Sequence, residues 1–302
     1  MVCGGIRKRK QWGDVLRVES SVLMRLRKLR LSLVSGLVMG LGLMLGSTQA
    51  VACGPYQLAF YEFGTLYYQT ENGAAGIDKD LIDELIRRTG CKLQTSVDSR
   101  VRIWSRMESG ALDMTVSGIA TPEREKFAVF LPYITTRNYV LMQPEVAALI
   151  ATQEAFLKDS TLMLGVVKSF RHGKYYDEVV ETLRKQGRIV EASDYPTLVR
   201  IFQAKRVSAM LGLPTSLAPL ITGAKSLSPG QIADWSMTDD VTGSLVLSRQ
   251  RMAAKDIERM RQALQAIRDD GTMEQILHRH LQPEFARLVK MGQHPVAKVA
   301  IR

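Results

Sequence analysis

Beyond Cys53 the chain alternates two kinds of pattern: short unbroken apolar runs, and longer stretches in which apolar residues return every three or four positions. The first reads as a buried strand, the second as a helix with one buried face. "YQLAFYE" (56–62) is therefore predicted as a strand. "GIDKDLIDELIRRTG" is predicted as a helix with Ile77, Leu81, Ile82, Leu85 and Ile86 inward, Asp78 as its cap and Gly90 as its stop. "CKLQTSV" reads as a second strand, "SRVRIWSRMESG" as a helix stopping at Gly110, and "LDMTVSG" as a third strand. In that second helix Trp104 falls at helical spacing with Val101 and Met107, which reads as a core face.

After a long stretch through "FAVFLPYITTRNYVLMQPE" the same order returns. "LMLGVVKS", "RIVEAS" and "VSAMLGL" read as strands, separated by the helices "GKYYDEVVETLRKQG" and "YPTLVRIFQAKR", the latter with Pro196 near its start. A further strand, Thr242 to Leu247, leads into two closing helices, the first burying Ile257, Met260, Leu264 and Ile267. Two βαβαβ units in series predict an α/β protein with two parallel-sheet lobes. The closing helices are expected to pack on the first lobe after the chain crosses back. The expected division is 51–141 with 243–290 as the first lobe, 142–242 as the second and 291–302 as a tail. In open α/β sheets ligands collect beyond the carboxyl ends of the strands, so the predicted site is the crevice between lobes.

The 302 residues, 46% hydrophobic and 24% charged, suffice for two lobes. The net charge of +11 is unevenly spread: residues 1–50 hold nine basic and two acidic residues, so +7 falls there and +4 on the rest. A nucleic-acid partner is therefore not expected. The basic "MRLRKLR" from Met24, the apolar run from Leu31 to Leu45 and the small residues of "GSTQAVA" read as an export signal, with translation expected to start at Met24 and cleavage after Ala50 or Ala52. The run is short for a membrane span. The protein is expected in the periplasm. Export permits a disulfide, and Cys53 and Cys91 form the one mature pair, each beside a predicted strand. The rival reading is a lipoprotein signal, since "AVAC" puts a cysteine after a small residue, although Ala50 stands where such signals usually carry leucine.

"SGIATPEREKF" begins where the third strand ends. Thr121 and Pro122 read as cap and first residue of a helix. Arg124 in its first turn faces a surplus of unpaired N–H groups, an unfavourable place for a cation unless an anion joins it there. The plain alternative is a solvated arginine paired with Glu125 or another surface acid.

"GIDKDLIDEL", "MESGALDMTVSGIATPERE", "FLPYI", "LGVVKSF" and "IRDDGTMEQIL", in that order and spacing, resemble motifs of the extracellular solute-binding protein family 3, whose members deliver amino acids and related polar solutes to ABC importers. The resemblance runs from about Cys53 to Leu281. It implies a type II periplasmic binding fold, two lobes joined by two crossing strands that act as a hinge. It also implies that Arg124 forks onto a ligand carboxylate shared with Ser117 and Gly118, with Ala120 and Thr121 in the same loop. A guanidinium matches a carboxylate bidentately, as lysine cannot. In the second lobe Ser169, Phe170 and Arg171 match the ligand loop. Arg171 facing Arg124 would favour a ligand with two carboxylates; a solvated Arg171 is the alternative.

The chain departs from that pattern in three places. "SGIATPER" and "FLPY" are each about one residue short, which shifts the N–H groups of Ile119 and Ala120. Leu213 stands where the family often has an aspartate for the ligand ammonium. Glu62, Asp239 or Asp240 could replace it, or the ligand lacks an ammonium. Tyr61, Phe63, Tyr67 and Tyr68 follow the first strand where the family places stacking rings. The alternative puts Phe60 and Phe63 in the core and leaves Tyr67 and Tyr68 exposed.

No zinc HExxH, GxSxG elbow or phosphate-binding glycine loop occurs. His278 and His280, two apart on a helix, face different ways and do not read as a metal pair. No catalytic residue, metal or cofactor is expected. The expected partners are a small carboxylate-bearing solute and a membrane permease of an ABC importer, with the protein itself a monomer. The alternatives are a sensor or receptor domain without transport, and an enzyme resembling cyclohexadienyl dehydratases, which would need a proton donor in the cleft.

Overall fold

The computed structural model describes residues 53–222, 231–236 and 238–291. The leader, the start at Met24 and residues 292–302 of the expected tail lie outside them.

Strand β1 (Tyr56–Phe60) leads through the hairpin β2 (Tyr68–Thr70) and β3 (Gly73–Ala75) into helix α1 (Ile77–Thr89), followed by β4 (Leu93–Val97), α2 (Arg100–Glu108), β5 (Met114–Gly118) and the short α3 (Pro122–Glu125). The long β6 (Ala128–Arg137) follows. Then come β7 (Tyr139–Met142), α4 (Pro144–Ala147), α5 (Gln153–Lys158), β8 (Leu164–Val167), α6 (Lys174–Lys185), β9 (Ile189–Ala192), α7 (Tyr195–Gln203), β10 (Ala209–Gly212) and α8 (Pro214–Thr222). The last elements are β11 (Ile232–Ala233), β12 (Asp240–Ser248), α9 (Ala254–Asp269), α10 (Thr272–His280), α11 (Pro283–Ala286) and β13 (Lys290–Met291).

Two sheets result. The first has the order β13-β6-β12-β5-β1-β4, and the second β11-β7-β10-β8-β9. β1 runs parallel to β4 and β5, while the returning β12 is antiparallel to β5 and β6. In the second sheet β8, β9 and β10 are parallel and β7 is antiparallel. The chain passes from β6 in one sheet to β7 in the other across a single residue, Asn138, which is buried and donates from Nδ2 to the His172 carbonyl at 2.8 Å. Residues 139–141, expected in the first lobe, thus pair with the second sheet. Beside this crossing Arg137 bonds Asp240 at 3.2 Å and Asp234 at 3.3 Å.

The periodic helices bury the faces their sequences imply: Leu81, Ile82 and Leu85 in α1, and Met260, Leu264 and Ile267 in α9. α9 and α10 pack on α1, as expected. The expected cap is a correction. Gly76, at φ 132°, occupies the N-cap of α1, and Asp78 lies inside the first turn with its side chain turned into the protein. Only glycine fits there, because a Cβ would collide with the Leu66 carbonyl. Cys53 and Cys91 are disulfide-bonded, their Cα atoms 4.5 Å apart, joining the entry of β1 to that of β4. One apolar core runs from the first sheet to the near face of the second, and a smaller one of Phe156, Tyr176, Val179 and Leu183 covers the far face.

Candidate ligand-binding site

The crevice lies beyond the ends of β1, β5 and β8. Its first wall is built around Ser117, which closes β5 in left-handed backbone at φ 49°. A non-glycine residue there is strained, and such strain collects at functional sites. Five hydrogen bonds hold it, one of them between Ser117 Oγ and the Tyr133 hydroxyl at 2.8 Å. Ser117 N–H donates to the Tyr133 hydroxyl at 2.8 Å, Tyr61 O–H donates to the Ser117 carbonyl at 3.1 Å, and Ser117 Oγ reaches both Asp78 carboxylate oxygens at 2.8 and 3.0 Å. Tyr133 O–H also donates to Asp78. Burial pushes the Asp78 carboxyl up to about 7, against the downward pull of its Tyr133 and Ser117 bonds and of the Arg100 charge. Burial likewise raises the Tyr61 and Tyr133 hydroxyls.

Arg124 reaches across the crevice. Thr121 caps α3, accepting from the Arg124 N–H at 3.3 Å. The guanidinium carbon lies 3.6 Å from the Trp104 ring centroid. Nη1 donates to the Ile119 carbonyl at 2.9 Å and Nη2 to the Ser169 carbonyl of the opposite wall at 3.1 Å. Burial, then repulsion from Arg100 and Arg171, pushes its pKa down to about 9, which leaves it cationic at neutral pH. Trp104 is half-buried: it packs against the core beside Phe130, ring centroids 6.3 Å apart, and also serves as the platform for this guanidinium, while Val101 is 39% exposed. The face that spacing marks runs from solvent at Val101, through the half-buried Trp104 beneath Arg124, to the core at Met107, which is 1% exposed.

The second wall is largely apolar. Ser169, also left-handed at φ 64°, offers its carbonyl to Arg124. Phe170 stacks on Phe63 of the first wall, centroids 5.0 Å apart, and Phe63 meets Tyr195 at 4.7 Å. Leu213 is buried and lines, with Tyr61, Ser117, Ile119 and Phe170, a cavity of about 10 Å³. The walls touch closely: a Cβ on Gly64 would come within 2.5 Å of the Thr215 carbonyl oxygen. Arg171 is exposed and lies 3.9 Å from Asp177.

Tyr61, Phe63, Ser117, Arg124, Ser169, Phe170 and Leu213 thus meet in one place. Gly118 lies beneath them under Val246, Thr121 serves as cap, and Ala120 is exposed. Tyr67 is buried against Phe60, centroids 4.5 Å apart, contrary to the reading that left it exposed. Glu62 lines a separate pocket of about 470 Å³ with Tyr67, Tyr68, Tyr195 and His280. The two other acids considered for an ammonium are committed elsewhere, Asp240 to Arg137 and Asp239 to the Tyr175 N–H at 3.0 Å.

The sequence reading passed over Arg100. It is 3% exposed and lies over the Tyr61 ring at 4.2 Å and the Phe170 ring at 4.8 Å. None of its three nitrogens makes a hydrogen bond among the described residues. A signal for it existed: Arg100 opens a helix capped by Ser99, a cation in a first turn as Arg124 is, and without the acidic neighbours that Glu123 and Glu125 give Arg124.

Residues 59–283 match the bacterial extracellular solute-binding proteins, family 3. Among solved structures, an ancestral arginine-binding protein bound to arginine is similar at 16% identity and TM-score 0.62, covering 76% of this chain and 99% of its own. The arginine-, lysine-, histidine-binding protein of Geobacillus stearothermophilus is similar at 15% identity and TM-score 0.62, covering 78% and 99% respectively. An ancestral amino acid-binding protein described as a precursor of cyclohexadienyl dehydratase is similar at 17% identity and TM-score 0.62, covering 76% and 96%. Among curated proteins none matches the chain. These likenesses carry the fold expected from the sequence, that of the periplasmic binding proteins.

Proposed function

Because the chain belongs to the bacterial extracellular solute-binding proteins, family 3, we propose that it captures a small carboxylate-bearing solute between its two sheets and presents the closed form to the membrane permease of an ABC importer. Arg124 anchors the acid, and the loop of Ser169 and Phe170 closes over it. The basic and apolar leader supports export to the periplasm. The observation that carries this reading is the Arg124 guanidinium, stacked on Trp104 and bonded across the crevice to the Ser169 carbonyl. A carboxylate replacing the Ile119 and Ser169 carbonyls would exchange two neutral acceptors for charged ones, a gain of about 1 kcal/mol per bond and about 2 kcal/mol together, or about 30-fold in affinity.

Binding rather than catalysis is supported by what faces the crevice. Asp78 is its one buried carboxyl among the described residues, and Ser117 and Tyr133 already occupy its oxygens.

A thermal-shift screen of amino acids, dicarboxylates and aromatic acids identifies ligands, since a ligand at about 100 times its dissociation constant stabilises by about 2.7 kcal/mol. Arg124→Lys is then expected to weaken the identified ligand at least tenfold by calorimetry. An unchanged affinity removes Arg124 from the site and the proposal with it.

A further inference from the structure

We infer that the solute carries two acidic groups, the second held by Arg100; this rests on the reading that Arg124 anchors the first. The reason is a buried charge without a hydrogen bond among the described residues. An arginine buried to 3% exposure with no hydrogen bond is costly, because its cation has given up water and received no acceptor in return. The Tyr61 and Phe170 rings cover the guanidinium at 4.2 and 4.8 Å, which offsets part of that cost. Ring contact engages the faces of the group, whereas its N–H donors lie in the plane and stay available to a carboxylate arriving edge-on.

The surroundings favour an anion as well. Arg100 stands at the first position of α2, where the helix presents its positive end. Arg124 is near enough for the two cations to repel, and Asp78, the carboxyl that faces Arg100, is already engaged by two hydroxyls. His172, on the opposite wall against Phe170, is held toward its neutral form by burial. A diacid supplies one carboxylate to each guanidinium and removes their mutual repulsion. A monoacid leaves Arg100 as it is.

The test measures affinity by calorimetry for length-matched pairs on the full chain: succinate against butyrate, glutarate against pentanoate, adipate against hexanoate. At least one diacid is expected to bind tenfold or more tightly than its monoacid mate. Arg100→Gln is expected to lower the affinity of that diacid at least tenfold and that of the monoacid less than threefold. Circular dichroism checks folding, and should Arg100→Gln fail to fold, Arg100→Lys, which keeps charge and stem but not the fork, is expected to cost the diacid alone at least threefold. The inference fails if no diacid outbinds its mate, if none binds below millimolar, or if the Arg100 variants weaken both acids equally. Arg124→Lys separates the two claims. If it leaves the diacid untouched, the anchoring reading is lost. If it weakens both acids while Arg100→Gln is unselective, only the second acidic group is lost.

Discussion

The two walls of the crevice are built at corresponding places, the end of a central parallel strand in each sheet, and they are unlike. Each places a serine in left-handed backbone, Ser117 at φ 49° and Ser169 at φ 64°. On the first wall the serine is fixed by Asp78, Tyr133 and Tyr61, and the cations stand beside it. On the second the serine contributes a carbonyl, and its neighbours Phe170 and Leu213 contribute apolar cover. A fully paired polar network fixes one geometry, whereas apolar contacts tolerate repacking. Under the proposed function, charge recognition accordingly belongs to one wall and closure to the other.

The largest expected effect comes from Asp78→Ala: Ser117 Oγ and Tyr133 can then bond only each other, which leaves one buried hydroxyl short of an acceptor at roughly 1 to 3 kcal/mol, and the emptied buried site adds to that, so about 4 kcal/mol of stability in urea unfolding. A loss below about 1 kcal/mol would mean that the network does not hold the first wall. On the second wall Phe170→Ala is expected to cost about 3 kcal/mol, the low end for a buried phenylalanine, because the crevice can close over the gap. If it costs more than Asp78→Ala, the assignment of rigidity to the first wall is reversed.

A pH series sharpens the same contrast. The folded Asp78 carboxyl, held at about 7 by burial and faced by Tyr133, Ser117 and Arg100, binds its proton more tightly than an unfolded aspartate at about 4. Its contribution therefore favours the fold at low pH and is lost as pH rises from about 4 through 7, at up to about 1.4 kcal/mol per unit. Asp78→Asn is expected to flatten that slope, and identical slopes in both proteins would count against the assignment. The smallest expected effect is a gain: Leu213→Asp is expected to favour glutamate over glutarate about tenfold relative to the native chain, roughly 1.4 kcal/mol. No change in that ratio would show that the second wall does not meet the ligand's α position.

The alternation of strands and helices was legible because each element buries a continuous run or a single helical face, a local property of the chain. The hairpin of Tyr68–Thr70 and Gly73–Ala75 went unread although Asn72 and Gly73 mark its turn, because its strands span only three residues. Asp78 looked like a cap because caps are judged from immediate neighbours. Its true partners, Ser117 and Tyr133, lie 39 and 55 residues away. Arg124 could be found from its cap, its proline and its place after a strand. Arg100 bore the same mark, but the apolar spacing of Val101, Trp104 and Met107 drew the helix as a core element and hid its first turn.

Asn138 has a mechanical consequence. It is the whole of the forward link between the sheets, and its side chain grips the carbonyl of His172, which belongs to the short loop that also carries Ser169 and Phe170. Pivot and latch are thus bolted together. In the proposed closing motion, swinging the second half about that residue would drag the latch with it, so unlocking and opening would form one stroke rather than two.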